Sequence, residues 1–579
     1  MIKKFLPYLR EFRREAIMSP SLIFLESLCE LMMPLLMAAI IDRGLNGSGG
    51  IRLILVCGIL LIALSSVSMY CGIGAARAAS RASQGFGRNL RTAMFGKIQS
   101  FSFADIDHFS SASLITRLTN DVTALQNTVN MSLRMLVRAP VQMISALVVC
   151  LVLNARLTLV LLFAIPVMCL IIAALMRSTK RLFEIFQTRI DSLNNSVQEN
   201  LIAIRVVKAF VRDNYERRKF AKANDELRDA GLHAVTHMVS IFPVMMICLH
   251  GATLLILWFG GNHVAQGRML TGELYSFYSY IAQVLMSVLM VAFTLLQVTR
   301  AAACAKRILE VLESEADISD GSATDLPEKR GSVSFRNVDF KYRSSGSGDN
   351  VLEGIDLEIA PGEFVAVVGA TGVGKSSLIN LIPRFYDVTG GQVLVDGMDV
   401  RDYPVRALRE RIGMVLQKNI LFSGTIRENL LWGDAEASDE EMIRAAKNAQ
   451  AHDFIMSFPD GYDSFLEQGG VNVSGGQKQR LCIARAMLRK PSILILDDST
   501  SAVDTVTEAA IRNSFKESLD GTTVIIIAQR ISSVRYADKI VVLDDDHIES
   551  VGTHEELLEK SPVYREIYQS QQEGVIANG

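Results

Sequence analysis

The chain predicts two unlike parts: a polytopic helical membrane domain of six spans, then an α/β domain. Three observations carry this. Six apolar stretches, Ile17–Ile41, Leu53–Ala76, Val137–Leu153, Leu157–Met176, Ile241–Phe259 and Tyr275–Val298, suit helices that cross a bilayer, which takes about 20 residues each. Hydrophobic residues make up 50% of 579 and mean hydropathy is +0.27, yet the long apolar runs stop near residue 300. Past about residue 330 an apolar run opens a glycine-rich loop that leads into a helical run, as in an α/β domain. The length itself exceeds one compact core. We place the membrane domain at 1–315, a linker at 316–330 and the α/β domain at 331–579.

Pro34, Pro140, Pro166 and Pro243 fall inside the apolar stretches, where spanning helices tolerate proline. The basic start, with Lys3, Lys4, Arg10, Arg13 and Arg14, would stay in the cytoplasm. It is no cleaved signal, because the apolar stretch is too long and no small-residue cleavage site follows. Short loops at Asp42–Arg52, Asn154–Arg156 and Gly260–Leu270 would face outside. The Lys- and Arg-rich segments Arg77–Arg134 and Arg177–Val239 would face the cytoplasm as helices running beyond the bilayer. The expected location is therefore the cytoplasmic (inner) membrane, multi-pass, with the N-terminus and the α/β domain in the cytoplasm. The net charge of −2 gives no footprint for nucleic acid. Eight cysteines, none in a Cys-x-x-Cys pair, read as small apolar fillers. Ser344–Gly348 reads as a short flexible loop.

Gly369-Ala370-Thr371-Gly372-Val373-Gly374-Lys375-Ser376 has every fixed position of a P-loop. The apolar run Phe364–Val368 precedes it and the helical run from Ser377 follows. Glycines let backbone N–H groups close on phosphate oxygens, and the helix N-terminus adds favourable dipole. Lys375 would reach the β- and γ-phosphates and Ser376 would bind Mg²⁺. A second loop, Ser474-Gly475-Gly476-Gln477, opens another helix. A strand run, Ile493–Leu496, ends in Asp497-Asp498.

On these motifs the chain resembles an ATP-binding cassette (ABC) exporter half-transporter over nearly its whole length. The resemblance implies ATP and Mg²⁺ as ligands and further roles by position. Tyr342 would stack on adenine. Gly369, Thr371, Gly372, Gly374, Lys375, Ser376 and Ser377 would hold the phosphates. Gln417, with Ser376 and Asp497, would serve the metal. Asp504, in Ser501-Ala502-Val503-Asp504, would form the D-loop. Glu467-Gln468-Gly469-Gly470 would lie where the X-loop does, though its sequence departs from the commonest form. In such exporters two cassettes face head to tail, so Ser474, Gly475, Gly476 and Gln477 would act in trans on a partner's ATP.

Two positions break the pattern. Where active relatives have a Glu general base, this chain has Asp498, one methylene shorter. Where they have a His at the γ-phosphate, it has Gln529. A misplacement of about an ångström costs on the order of 10²-fold in rate, and losing general-base help roughly 10²–10⁴-fold. Phosphate and metal contacts are retained. The reading is a subunit that binds ATP and hydrolyses it poorly, paired with a second, homologous half-transporter in a heterodimeric bacterial multidrug-type exporter. The intact signature, with only Val473 in place of the commoner Leu, would complete the partner's competent site. Alternatives are a homodimeric exporter with slow ATPase and a nucleotide-gated channel or regulator.

Phe101–Asp121 resembles the first intracellular coupling region of these exporters and Arg205–Phe210 the second. Glu26 and Glu30, at i and i+4 in the first span, share a helix face. Carboxylates at that depth either line a path that favours cationic or polar substrates or form an internal hydrogen-bonded pair. The substrate, whether small molecule, lipid or peptide, is not set by the sequence.

Overall fold

The computed structural model describes residues 2–47, 49–342, 350–498, 505–518, 521–528 and 530–577. The chain forms two compact units, Met1–Ile98 with Ala112–Ser314, and Gln99–Ser111 with Glu315–Gly579. The segment 99–111, expected with the membrane domain, thus belongs to the second unit.

Among the described residues the first unit holds six helices long and apolar enough to span a membrane: Lys3–Leu45, Gly50–Gln99, Ser111–Leu153, Ala155–Ile202, Asp213–Ala265 and Thr271–Glu313. At 43 to 53 residues each, they are about twice the length a bilayer needs. Ile59, Val152, Phe163 and Trp258 stand more than two-thirds exposed on them, a surface suited to lipid rather than water. Leu161, Met168, Ile256, Phe277 and Ile281 pack inward as one cluster. The sixth helix is pinned to the first where Pro34 interrupts the backbone ladder. Tyr280 OH donates to Leu31 O (2.6 Å), Ser276 Oγ to Pro34 O (2.7 Å), and Gly272 N–H to Asp42 (2.6 Å). Near its other end, Arg307 grips buried Asp121 through both carboxylate oxygens, at 2.8 and 2.5 Å.

Among the described residues the second unit is built on twelve short strands: β1 Val333–Phe340, β2 Leu352–Ile359, β3 Phe364–Gly369, β4 Gly390–Val395, β5 Met398–Asp399, β6 Ile412–Val415, β7 Gly424–Thr425, β8 Phe465–Leu466, β9 Ile493–Asp497, β10 Thr523–Ile527, β11 Lys539–Asp544 and β12 His547–Gly552. One sheet runs β2-β1-β4-β5 and is antiparallel; β7 pairs with β8. The central sheet runs β12-β11-β3-β10-β9-β6, parallel except for β12. Its inner strands carry unbroken apolar runs, Ile540–Leu543, Val365–Val368, Val524–Ile527 and Ile493–Leu496, because both faces are covered. Alternate residues serve two cores: Ala366, Val368, Leu494 and Leu496 on one face, Val365, Val367, Ile493 and Ile495 on the other.

The 316–330 segment, expected as a linker, is strapped to this unit. Gly321 and Ala323 N–H groups donate to Tyr403 O and Asp402 O at 3.0 and 3.1 Å. Arg411, 3% exposed, donates to Pro327 O (2.6 Å) and pairs with Asp396 (2.7 Å), itself 2% exposed. Asp396 also accepts the N–H groups of Gly331 and Ser332. The loop expected at 344–348 lies outside the described residues.

Candidate functional site

The parallel strands β3, β10, β9 and β6 end at one edge of the central sheet, where open α/β sheets bind ligands. Register fixes this: Val367 lies opposite Ile527, Ile527 opposite Asp497, and Leu496 opposite Val415. That edge therefore carries the loop after Gly369, the Asp497-Asp498 pair and, two residues past β6, the exposed Gln417. Three sequence motifs far apart in the chain meet at one edge.

The loop needs its glycines. Gly369 has φ 152°, and a Cβ there would lie 2.3 Å from Leu543 O; Gly374 has φ 88°, and a Cβ would meet Val351 O at 2.9 Å. Helix Lys375–Leu381 starts immediately after. Lys375 Nζ lies over the loop, donating to Gly369 O (2.9 Å) and Ala370 O (2.5 Å), and burial pushes its pKa down. Ser376 Oγ donates to Asp497 Oδ1 at 3.1 Å. Ser377, expected at the phosphates, is buried, and its hydroxyl lies 2.8 Å from Tyr342 OH. That contact ties the expected base platform to the P-loop helix.

Burial pushes the carboxyls of Asp497 and Asp498 above the ordinary range, against the pull of the Lys375 ammonium. Asp498 takes a left-handed backbone, φ 46°, which Asp tolerates better than most residues. Its N–H donates to Ile527 O (3.1 Å) and its carbonyl accepts from Gln479 Nε2 (3.4 Å). The main chain at Asp498 is thereby anchored to β10. Gln529 and the 501–504 stretch with Asp504 lie outside the described residues.

A hydroxyl, a carboxylate and an amide oxygen, from Ser376, Asp497 and Gln417, make a hard donor set. They fit Mg²⁺, which uses one or two carboxylates with substrate phosphates rather than an all-protein cage. Consistently, no group of three His, Cys, Asp or Glu side chains is set up for a metal among the described residues.

Ser474 caps helix Gly475–Leu488 as expected of the second loop. Its side chain accepts the Gln477 N–H, and Gln477 Oε1 accepts the Ser474 N–H at 2.9 Å. No hydrogen bond joins residues 474–477 to the P-loop among the described residues. Val473 is buried behind the loop.

Tyr386 was not singled out from sequence, whereas Asp107 lies in the Phe101–Asp121 stretch that resembles a coupling region. Tyr386 OH donates to Asp107 Oδ2 at 2.9 Å, and its ring meets Tyr342 edge to face at 5.1 Å. An aromatic pair, Phe385-Tyr386, just past an apolar helix was the available signal.

In the membrane unit, Glu26 and Glu30 are not bonded to each other. Arg138 bridges them, Nη1 to Glu26 (2.9 Å) and Nη2 to Glu30 (2.5 Å), and Gln142 donates to Glu30 at 2.5 Å. Gly72 makes room: a Cβ there would lie 3.1 Å from Glu26 Oε1. Arg138 and Gln142, also at i and i+4, mirror the two acids in the third apolar stretch, and sequence reading overlooked them.

The sequence profiles of known families match both parts: "ABC transporter transmembrane region" over residues 16–288 and "ABC transporter" over 352–501. An uncharacterized ABC transporter ATP-binding protein of Bacillus subtilis, YfiB, is 40% identical over 571 residues, 98% of each chain. This chain belongs to the ABC transporter family. The ABC half-transporter is also 34% identical over 484 residues to an "ATP-dependent lipid A-core flippase" of Syntrophus aciditrophicus, covering 83% of this chain and 80% of that one. In fold it matches a bacterial Atm1-family ABC exporter solved with ATP bound, at TM-score 0.80 and 24% identity over 96% of this chain and 98% of the other. The membrane domain fused to an α/β cassette is that of an ABC exporter, a multi-pass membrane protein whose half-transporters dimerise and couple ATP to transport.

Proposed function

We propose that this half-transporter is the weak-site subunit of a heterodimeric exporter in the cytoplasmic membrane, moving a hydrophobic or amphipathic substrate outward by alternating access. The observation that carries it is Asp498. Its backbone is anchored between β9 and β10, so the strand cannot advance to offset the lost methylene. A carboxylate held back from an attacking water is a poor base. Gln529 supports the reading from sequence alone.

In this scheme Tyr342 receives the adenine, the loop Gly369–Ser376 and Ser377's helix receive the phosphates, and Lys375 turns from its loop carbonyls to the β- and γ-oxygens. Mg²⁺, when bound, would neutralise phosphate charge, with Ser376, Gln417 and Asp497 holding it. Ser474–Gln477 close on the partner's ATP, and the partner's site hydrolyses it to reset the pair. ATP retained at this chain's own site keeps the cassettes together between cycles.

Steady-state ATPase in lipid tests the reading. The chain alone should be slow. Adding a half-transporter with Glu and His at the two changed positions should raise activity strongly, and converting that partner's Glu to Gln should remove the rise. Brisk activity alone would favour two copies of this chain instead.

Glu26 and Glu30 are proposed as a structural network rather than a cation site, since Arg138 already donates to both carboxylates and Gln142 to Glu30. Changing both to Gln should leave the substrate spectrum unchanged and lower stability, at about 0.6–2 kcal/mol per interhelical hydrogen bond weakened. A transport assay against a panel of cationic and neutral substrates decides it; selective loss of cations would restore the path reading.

A further inference from the structure

In sequence, β10 is followed by Ala528, by the expected γ-phosphate contact Gln529, by Arg530 and then by the short helix Ile531–Val534. A helix of one turn does not hold itself in place in water. Arg530, at its N-cap, makes no capping side-chain bond among the described residues. The first N–H of such a turn is one of the donors a helix leaves without an internal partner. Here its acceptor comes from far along the chain: Ile531 N–H donates to Gln571 Oε1 at 2.9 Å. Ile531 is buried, so water is a poor substitute for that acceptor.

Gln571 sits on the C-terminal helix Pro562–Ala577, whose first half is firmly seated. Tyr564 is fully buried, and its hydroxyl lies 2.7 Å from His554 Nδ1. Its N–H donates to Ser561 Oγ (3.1 Å), which in turn donates to Glu549 Oε2 (2.7 Å). Ile567 and Tyr568 pack against the cassette core. Gln571 follows Tyr564 by two helical turns, so it lies on the same seated face. The segment it holds faces the nucleotide site. Burial raises the Asp498 carboxyl, and the positive charges of Lys375 and Arg530 draw it down.

We propose that Gln571 is a positioning residue for the nucleotide site: by holding Ile531 N–H it sets the main chain at Arg530 and Ile531, and with it the reach of residue 529 toward the γ-phosphate. The C-terminal helix is then part of the site's second layer, although it touches no nucleotide. A γ-phosphate contact is what separates ATP from ADP. Gln571 therefore acts on that distinction and not on the grip of base and inner phosphates, which belongs to Tyr342 and the P-loop. The inference rests on the reading of Gln529 as the γ-phosphate contact.

The test is the affinity of the full-length chain in lipid for Mg²⁺-ATP and for Mg²⁺-ADP, each competing in the cold with a fluorescent ATP analogue. Gln571→Leu keeps the bulk and loses the acceptor. It should lower the ratio of ATP to ADP affinity about 2- to 10-fold, the worth of one hydrogen bond, and leave ADP affinity within about twofold. Gln571→Glu keeps an acceptor oxygen and should retain most of the ratio. Gln529→Ala should lower the ratio as well, and adding Gln571→Leu to it should cost little more, because both act through one contact. An unchanged ratio in Gln571→Leu, or an equal loss of ATP and ADP affinity, overturns the positioning role. Gln529→Ala separates the two readings. A ratio lowered by Gln529→Ala but not by Gln571→Leu leaves Gln529 at the γ-phosphate and removes only Gln571. A ratio untouched by Gln529→Ala overturns the γ-phosphate contact and the positioning role with it.

Discussion

Changing Asp498 to Glu and Gln529 to His together should raise the ATPase rate of this chain, purified alone and self-paired in lipid, by about 10²-fold or more. The rest of the site needs no repair. Lys375 and Ser376 follow a complete glycine loop, Ser376 and Asp497 are 3.1 Å apart, and Ser474 and Gln477 form an ordered cap. A self-paired double variant would thus hold two complete sites. The left-handed backbone at residue 498 suits Asp better than Glu, so the gain in rate should come with a small loss of stability. Each single change should give a smaller rise, because a base without its neighbouring contact, or the reverse, is only partly effective. The particle mass must be read with the rate. A paired double variant that hydrolyses no faster than the unmodified chain would remove Asp498 and Gln529 as the cause of slow turnover.

Arg411→Ala should destabilise the cassette by about 3–5 kcal/mol, the cost of leaving one member of a buried ion pair without the other. Both side chains are at most 3% exposed, so water cannot take over from the guanidinium. The same change releases Pro327 O and unstraps the 316–330 segment. Arg401→Ala is the control. Its partner Asp399 is close, at 2.7 Å, but Arg401 is 43% exposed, and solvent screening should hold the loss to about 1 kcal/mol or less. Thermal unfolding of the full chain in lipid, followed by a probe in the cassette, measures both. Equal midpoints for the two variants would show that the Asp396 pair carries no special weight.

The six spans, the α/β class and the P-loop were legible because each rests on local pattern: long apolar runs, a short apolar run opening a loop and helix, and glycines at fixed offsets. The meeting of Gly369, Asp497 and Gln417 at one sheet edge followed from the motifs through the resemblance, and strand register now gives its physical reason. What escaped is what depends on pairing across long separations. Arg138 was visible within an apolar stretch, but only the packed helices reveal that it answers both Glu26 and Glu30. Arg411 and Asp396 look like surface residues in sequence, and their burial follows from the sheet they sit beneath. Ser377 was placed at the phosphates by the resemblance, and only the folded chain reveals that its hydroxyl lies 2.8 Å from Tyr342 OH. Residues 101–111 lie in the stretch that resembles a coupling region, but nothing local marks Phe103 as a partner of Phe385.

That last association bears on how the protein is made. The cassette's compact unit is discontinuous, closing on a segment synthesised long before the rest of it. Until Phe385 and Tyr386 leave the ribosome, Phe103 lacks these two aromatic partners, and a long-range closure of that kind is slow. A cassette produced without residues 99–111 would leave Phe385 and Tyr386 uncovered, a sticky patch that favours aggregation and chaperone capture. The contact therefore joins an early segment of the chain to one made 279 residues later.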